Sequence, residues 1–150
     1  MLLGLDILLV KEINRRFEIT PVYDVANFVV GTANLRGQVI TILDPGLRLD
    51  LPSRSTSERG GVIVLKTERE LTRLHRSGGL EDHSVNDQVG LLVDRIGDVI
   101  EVDQTGIHAV PANLDPVVAR YADGVVPVEN DLVVVLRLER LLSMESTAAR

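Results

Sequence analysis

The chain has 150 residues and a mass of 16.4 kDa, enough for one domain or two very small ones sharing a core. A chain of that length buries about 70% of the surface its unfolded form exposes, so it folds without a covalent staple. It contains no cysteine, which excludes disulfides, thiolate metal sites and cysteine nucleophiles together and makes the cell interior the expected compartment. The net charge is −6, and the aromatic residues are limited to Phe17, Tyr23, Phe28 and Tyr121. Both features argue against nucleic-acid binding, which needs a basic stripe to displace counterions and rings on which bases stack.

Met1-Leu2-Leu3-Gly4-Leu5-Asp6-Ile7-Leu8-Leu9-Val10-Lys11 is apolar enough to suggest a signal peptide. It lacks a basic start and a small-residue cleavage site, and Asp6 interrupts the run, so it reads as part of the fold. No stretch approaches the roughly 18 consecutive apolar residues of a membrane helix. A cytoplasmic protein is expected.

Valine and leucine occur 22 times each and isoleucine 9 times, a bias towards β-branched residues that favours strands. Short runs bounded by Gly, Pro, Asn or Asp predict strands over residues 39–43, 62–65, 89–93, 99–102 and 132–138. Residues 52–61 are polar and predict a loop. Residues 66–88 form a polar insertion, centred on Ser77-Gly78-Gly79, in which 68–74 predict a turn or two of helix. The strands on either side of it, 62–65 and 89–93, are expected to pair as a hairpin. Residues 132–136 are apolar on both faces, which predicts a central strand. Residues 138–144 predict a short closing helix, and 145–150 a frayed tail.

The chain also carries an internal repeat. Residues 4–13 align without gaps on 90–99, both reading Gly, Leu, any, Ile/Val, any, any, Val/Ile, any, acid, Ile/Val. Residues 37–43 align on 130–136, and a proline (Pro21, Pro111) and a glycine (Gly31, Gly124) separate the blocks in each half. Two small β-barrels, one per half, follow from this order. A strand is expected before Gly90, at 62–65, but only three residues precede Gly4. The first copy therefore lacks the equivalent strand, through truncation at the N-terminus or loss of the element, and an unpaired edge is expected there unless a partner or the other half covers it.

Catalytic patterns are missing. The sequence contains no G-x-S-x-G, P-loop or G-x-G-x-x-G. His75 and His83 share the insertion with Glu81 and Asp82, which leaves a small-ligand or metal-binding sensor as the alternative function, although no HxH or HxxxH spacing supports it. His108 is expected at a strand end in a structural role. Asp6, Glu12, Asp94 and Asp98 follow the repeated strand pattern and read as outward-facing positions. No enzyme is expected, and no cofactor or metal is assigned. An interaction module remains, and its most pointed segment is Asn34-Leu35-Arg36-Gly37, a tight connection that puts an arginine just before an apolar strand. That arginine either forks to a carboxylate or carbonyl of a partner, or pins its own turn.

At this segment the sequence resembles the CheW family, adaptors that couple chemoreceptors to the histidine kinase CheA. Residues 4–13 are similar to the family's opening G-I-D-I-L-x-V-x-E-I. Pro21, Phe28, Gly31 and Asn34-Leu35-Arg36-Gly37-x-Val39 are similar to its P…F-x-x-G-x-x-N-L-R-G signature. Residues 90–99 and 130–142 resemble the corresponding blocks of its second half. The resemblance covers nearly the whole chain. It implies an all-β fold of two intertwined, SH3-like, five-stranded barrels with short helices and the first strand missing, arranged as a single CheW-like domain over 1–150. It further implies a non-catalytic scaffold, in chemotaxis or a related pathway, that binds the receptor's cytoplasmic hairpin tip and the kinase's regulatory domain. By position, the contacts fall to Val10, Glu12, Gly31, Arg36, Val62, Ile96 and Val99, with Asn34, Leu35 and Gly37 shaping the turn. The apolar members would form a groove suited to an amphipathic helix. Two departures stand out beside the missing strand: Asp44-Pro45-Gly46, expected to end its strand early, and the long insertion.

Overall fold

The structure is a computed structural model that describes residues 1–52, 60–74 and 88–143. In chain order its elements are β1 (Leu2–Gly4), β2 (Val10–Asn14), β3 (Thr20–Pro21), β4 (Val29–Leu35), β5 (Gln38–Leu43), α1 (Pro45–Arg48), β6 (Gly61–Leu65), α2 (Glu68–Leu74), β7 (Val89–Val93), α3 (Pro116–Tyr121), β8 (Ala122–Val128), β9 (Asp131–Leu136) and α4 (Leu138–Leu141). Strands dominate, as the excess of β-branched residues requires.

The chain divides into two compact units, but not at its middle. One unit contains residues 6–99; the other joins residues 1–5 to residues 100–150. The expectation of one barrel per sequence half is corrected accordingly: each half lends a strand to the other's sheet. The unit of residues 6–99 holds a six-stranded sheet in the order β2-β6-β7-β5-β4-β3, and the other holds a three-stranded sheet in the order β1-β9-β8. In the larger sheet β5 and β7 are parallel, and in the smaller one β1 and β9 are parallel. The remaining neighbours are antiparallel.

The internal repeat is built into these pairings. β4 and β8 are both seven residues long, and β5 and β9 are both six. Both hairpins slip register after their first pair, between Val29 and Gly31 and between Ala122 and Gly124. Both close through two residues whose first has positive φ, 52° at Arg36 and 52° at Glu129, and both run into a four-residue helix. Gly90 lies opposite Ile42, and Gly4 lies opposite Val135, the counterpart of Ile42. The short β3–β4 contact, Thr20 with Thr32, returns as the isolated bridge of His108 with Val125. His108 exchanges two backbone hydrogen bonds with Val125 outside the named strands.

The expected strands appear at β5, β6, β7 and β9, the last ending at Leu136 where α4 takes over. β6 and β7 pair antiparallel, and β9 is central, as the patterns indicated. The expected strand at 99–102 does not form, and Val99 is 72% exposed. An alternating pattern becomes a strand only beside a neighbour that takes its backbone hydrogen bonds. β2, the counterpart of residues 96–100, has β6 as that neighbour; the described residues contain no counterpart of β6.

The core of the larger unit is a cluster of Ala33, Leu35, Ile40, Ile42, Val62 and Val64. These are alternate residues of β4, β5 and β6, the period-two pattern of strands with one buried face. Asp44 ends β5 as expected and also caps α1: its Oδ1 accepts from the N–H groups of Gly46 (2.8 Å) and Leu47 (3.3 Å). Asp115 caps α3 in the same way, and in both helices proline takes the first turn, where its missing N–H costs nothing.

Candidate functional site

The turn Arg36-Gly37 links β4 to β5 with Leu35 directly opposite Gln38. Both turn residues have positive φ, 52° and 82°, the combination a two-residue type I′ hairpin turn requires. Glycine adopts it freely at Gly37, whereas Arg36 is an uncommon choice for the left-handed region. Asn34 Oδ1 accepts from the Gly37 N–H at 3.0 Å and steadies the turn. Asn34, Leu35 and Gly37 all belong to this hairpin, with Leu35 buried beneath the turn.

The Arg36 guanidinium pairs with the carboxylate of Glu12 on β2. In the sheet order, β2 and β5 are separated by β6 and β7, a span of roughly 14 Å at ordinary strand spacing. Arginine cannot bridge that across a flat sheet. The sheet must coil until its β2 edge faces the β4–β5 tip, so the ion pair marks barrel closure. Between them lies a cleft of about 320 Å³ lined by Lys11, Glu12, Leu35, Arg36, Gln38, Ile40, Val64 and Gln88. Its floor is the rim of the core, and its mouth is charged and polar.

Two consecutive residues of β2, Lys11 and Glu12, reach this cleft because the β2–β6 register slips between Val10 and Glu12; a bulge of this kind re-aims a side chain. Lys11 Nζ contacts Glu70 Oε1 at 2.6 Å. The other oxygen of Glu70 accepts from the Thr67 N–H (2.8 Å), and Thr67 Oγ1 accepts from the Glu70 N–H (3.3 Å), a reciprocal capping box for α2. The bond from Lys11, with help from Thr67, holds the Glu70 carboxyl below its ordinary value. One carboxylate thus caps α2 and ties it to the edge strand.

The seven residues assigned from the sequence fall into different settings. Glu12 and Arg36 meet in the cleft. Val10, half-buried, sits opposite Leu65. Ile96 is also half-buried, its Cδ1 3.1 Å from where a Cβ on Gly61 would lie. Val99 is exposed on an irregular segment. Val62 is 0% exposed, and Gly31 is buried against Thr20 of β3; neither lines the cleft. Lys11, Gln38, Ile40, Val64 and Gln88 line the cleft but were not singled out as site residues in the sequence. Period two carried part of that signal, because Gln38 continues the face of Ile40 and Ile42, and Val64 that of Val62.

Among the described residues, no group of three or more His, Asp or Glu side chains could hold a metal ion. His75 and His83 of the sensor alternative lie outside the described residues. No described helix is long and apolar enough to cross a membrane.

A coiled sheet with a charged cleft and an arginine-tipped hairpin defines a binding module of the small-barrel class. The sequence profile of the CheW-like domain matches residues 1–146, and the chain belongs to that family, a family of non-catalytic chemotaxis scaffolds. It is 31% identical over 145 residues to the chemotaxis protein CheW of Helicobacter pylori, covering 95% of this chain and 75% of that protein. It is 26% identical to the chemotaxis protein CheW of Klebsiella aerogenes, covering 97% of this chain and 77% of that protein. The crystal structure of scaffolding protein TtCheW from Thermoanaerobacter tengcongensis has the same fold, with a TM-score of 0.72 at 23% identity over 93% of this chain and 83% of that one.

Proposed function

We propose that this scaffold acts in the cytoplasm by joining the hairpin tip of a chemoreceptor to the regulatory domain of a CheA-type histidine kinase. Family membership supports the coupling role, and the observation that carries the assignment of this face is the Arg36–Glu12 pair at the mouth of the cleft. Arg36 is 76% exposed although it is paired, so part of its donor fork faces outward. A guanidinium in that position recognises a carboxylate or a carbonyl with directional bonds. Val39, 68% exposed on the other face of β5 from Gln38 and Ile40, supplies apolar surface close to the turn of the kind an amphipathic helix uses.

Calorimetric titration of the chain with each partner tests the reading. Binding to both, weakened at least tenfold by Arg36→Ala, is the expected result. A folded chain that binds neither the receptor hairpin nor the kinase domain overturns it.

A further inference from the structure

We propose that Glu70 of α2 is a positioning residue for partner binding: by holding Lys11, it leaves the Glu12 carboxylate to Arg36 and so keeps the Arg36 fork oriented. The inference rests on the partner-facing role proposed above for Arg36. Neither Lys11 nor Glu70 belongs to the positions that the family resemblance assigned.

The register slip between β2 and β6 puts Lys11 and Glu12, neighbours in sequence, against the same cleft. Among the described residues that line it there are two cations, Lys11 and Arg36, and one carboxylate, Glu12. Both cations are drawn to that carboxylate. The Arg36 side chain is 76% exposed, and a pair so open to water is weak enough for a second cation to displace. Lysine suits that part, because its ammonium is a point charge on a flexible stem and needs no fixed line of approach. Without Glu12 the guanidinium would be unanchored, and a fork that must be ordered at the moment of binding costs affinity.

α2 removes this competition from outside the cleft lining. Lys11 Nζ lies 2.6 Å from Glu70 Oε1. Glu70 is itself anchored, because its Oε2 accepts from the Thr67 N–H at 2.8 Å and its own N–H donates to Thr67 Oγ1 at 3.3 Å. The bonds from Lys11 and Thr67 also hold its carboxyl below the ordinary value, which keeps the anchor charged. Each charge of β2 therefore has a partner from a different element: Lys11 from α2, and Glu12 from the β4–β5 turn. Because α2 lies in the polar insertion between β6 and β7, the insertion acts on the binding face without touching the partner.

Glu70→Gln is the discriminating variant. Glutamine still serves a capping box, but its one acceptor oxygen goes to the Thr67 N–H and its amide group turns donors towards Lys11. Titration of the full chain with the kinase regulatory domain should show binding weakened about fivefold, as for coupled neighbours. Lys11→Gln removes the competitor, so alone it should leave affinity within about twofold of the original, and added to Glu70→Gln it should restore affinity. A merely structural role for Glu70 gives no such rescue. Rotation of the Arg36 guanidinium, followed by NMR with no partner present, should become at least threefold faster in Glu70→Gln and slow again in the double variant. Unchanged rotation in Glu70→Gln overturns the proposal whether or not a partner binds. Weakened binding without rescue overturns it too, as does tighter binding by Glu70→Gln, which would make Lys11 a second cation facing the partner. Rotation that changes and is rescued in a chain that binds no partner supports the positioning of Arg36 and overturns the role proposed for Arg36 instead.

Discussion

Replacing Arg36 by asparagine separates the turn from the contact. Arg36 holds a φ of 52°, a region that costs an ordinary L-residue about 1–2 kcal/mol and asparagine less. Its ion pair with Glu12 has the arginine side chain 76% exposed, and exposed pairs contribute about 0.2–1 kcal/mol. In Arg36→Asn the relief of turn strain opposes the loss of the pair, so stability should change by less than about 1 kcal/mol, or no more than about 4 °C in Tm at this chain length. Arg36→Ala loses the pair without relieving the strain and should be destabilised by about 0.2–1 kcal/mol. Thermal unfolding followed by circular dichroism reads both values. Titration with the kinase regulatory domain then reads function, where both variants should lose about 1.4 kcal/mol or more, a tenfold weakening. Two results refute the reasoning: full affinity in Arg36→Asn, or a Tm about 8 °C lower, which would make Arg36 a pin of the closed sheet and not a contact.

Three further outcomes follow from the geometry. In Gly31→Ala the new Cβ would lie 2.2 Å from Thr20 O and 2.8 Å from Ile19 Cγ2, so β3 must shift, and denaturant titration should show a loss of about 1–3 kcal/mol. Asp44→Ala removes the cap of α1 and should cost about 0.5–2 kcal/mol in the same assay. Glu70 has its folded-state pKa lowered from 4.5, first by the Lys11 bond. Its contribution is therefore fully present above that unfolded value and lost as pH falls through the lowered one. Amide exchange in α2 should report easier opening at acid pH, and Glu70→Gln should flatten that dependence; an unchanged profile in the variant counts against the Lys11–Glu70 tie.

Much of this protein was legible before any coordinates. Val-rich runs of four to seven residues became β5, β6, β7 and β9 because their alternation or continuous apolarity left a strand as the way to bury them. Asn34 and Gly37 marked the turn chemically, one as an acceptor and the other as a left-handed residue, and the repeat of Gly31 in Gly124 marked two equivalent hairpins. These are local signals, carried by residues within one turn or one strand pair.

Long-range pairing is what the sequence left open. Residues 99–102 have the pattern of a strand and form none, because a strand is decided by its neighbour and not by its own alternation. The exchange of β1 and β7 between the two sheets is invisible in composition, since a parallel partner can come from anywhere along the chain. Nor does spacing show that Glu12 meets Arg36: only the coiling of the six-stranded sheet brings its edge to the hairpin tip. Sequence alone determined the four strands β5, β6, β7 and β9, the duplication and the family. Tertiary structure decided which strands pair and how the larger sheet closes, because closure depends on the backbone hydrogen bonds and core volume that distant strands supply together.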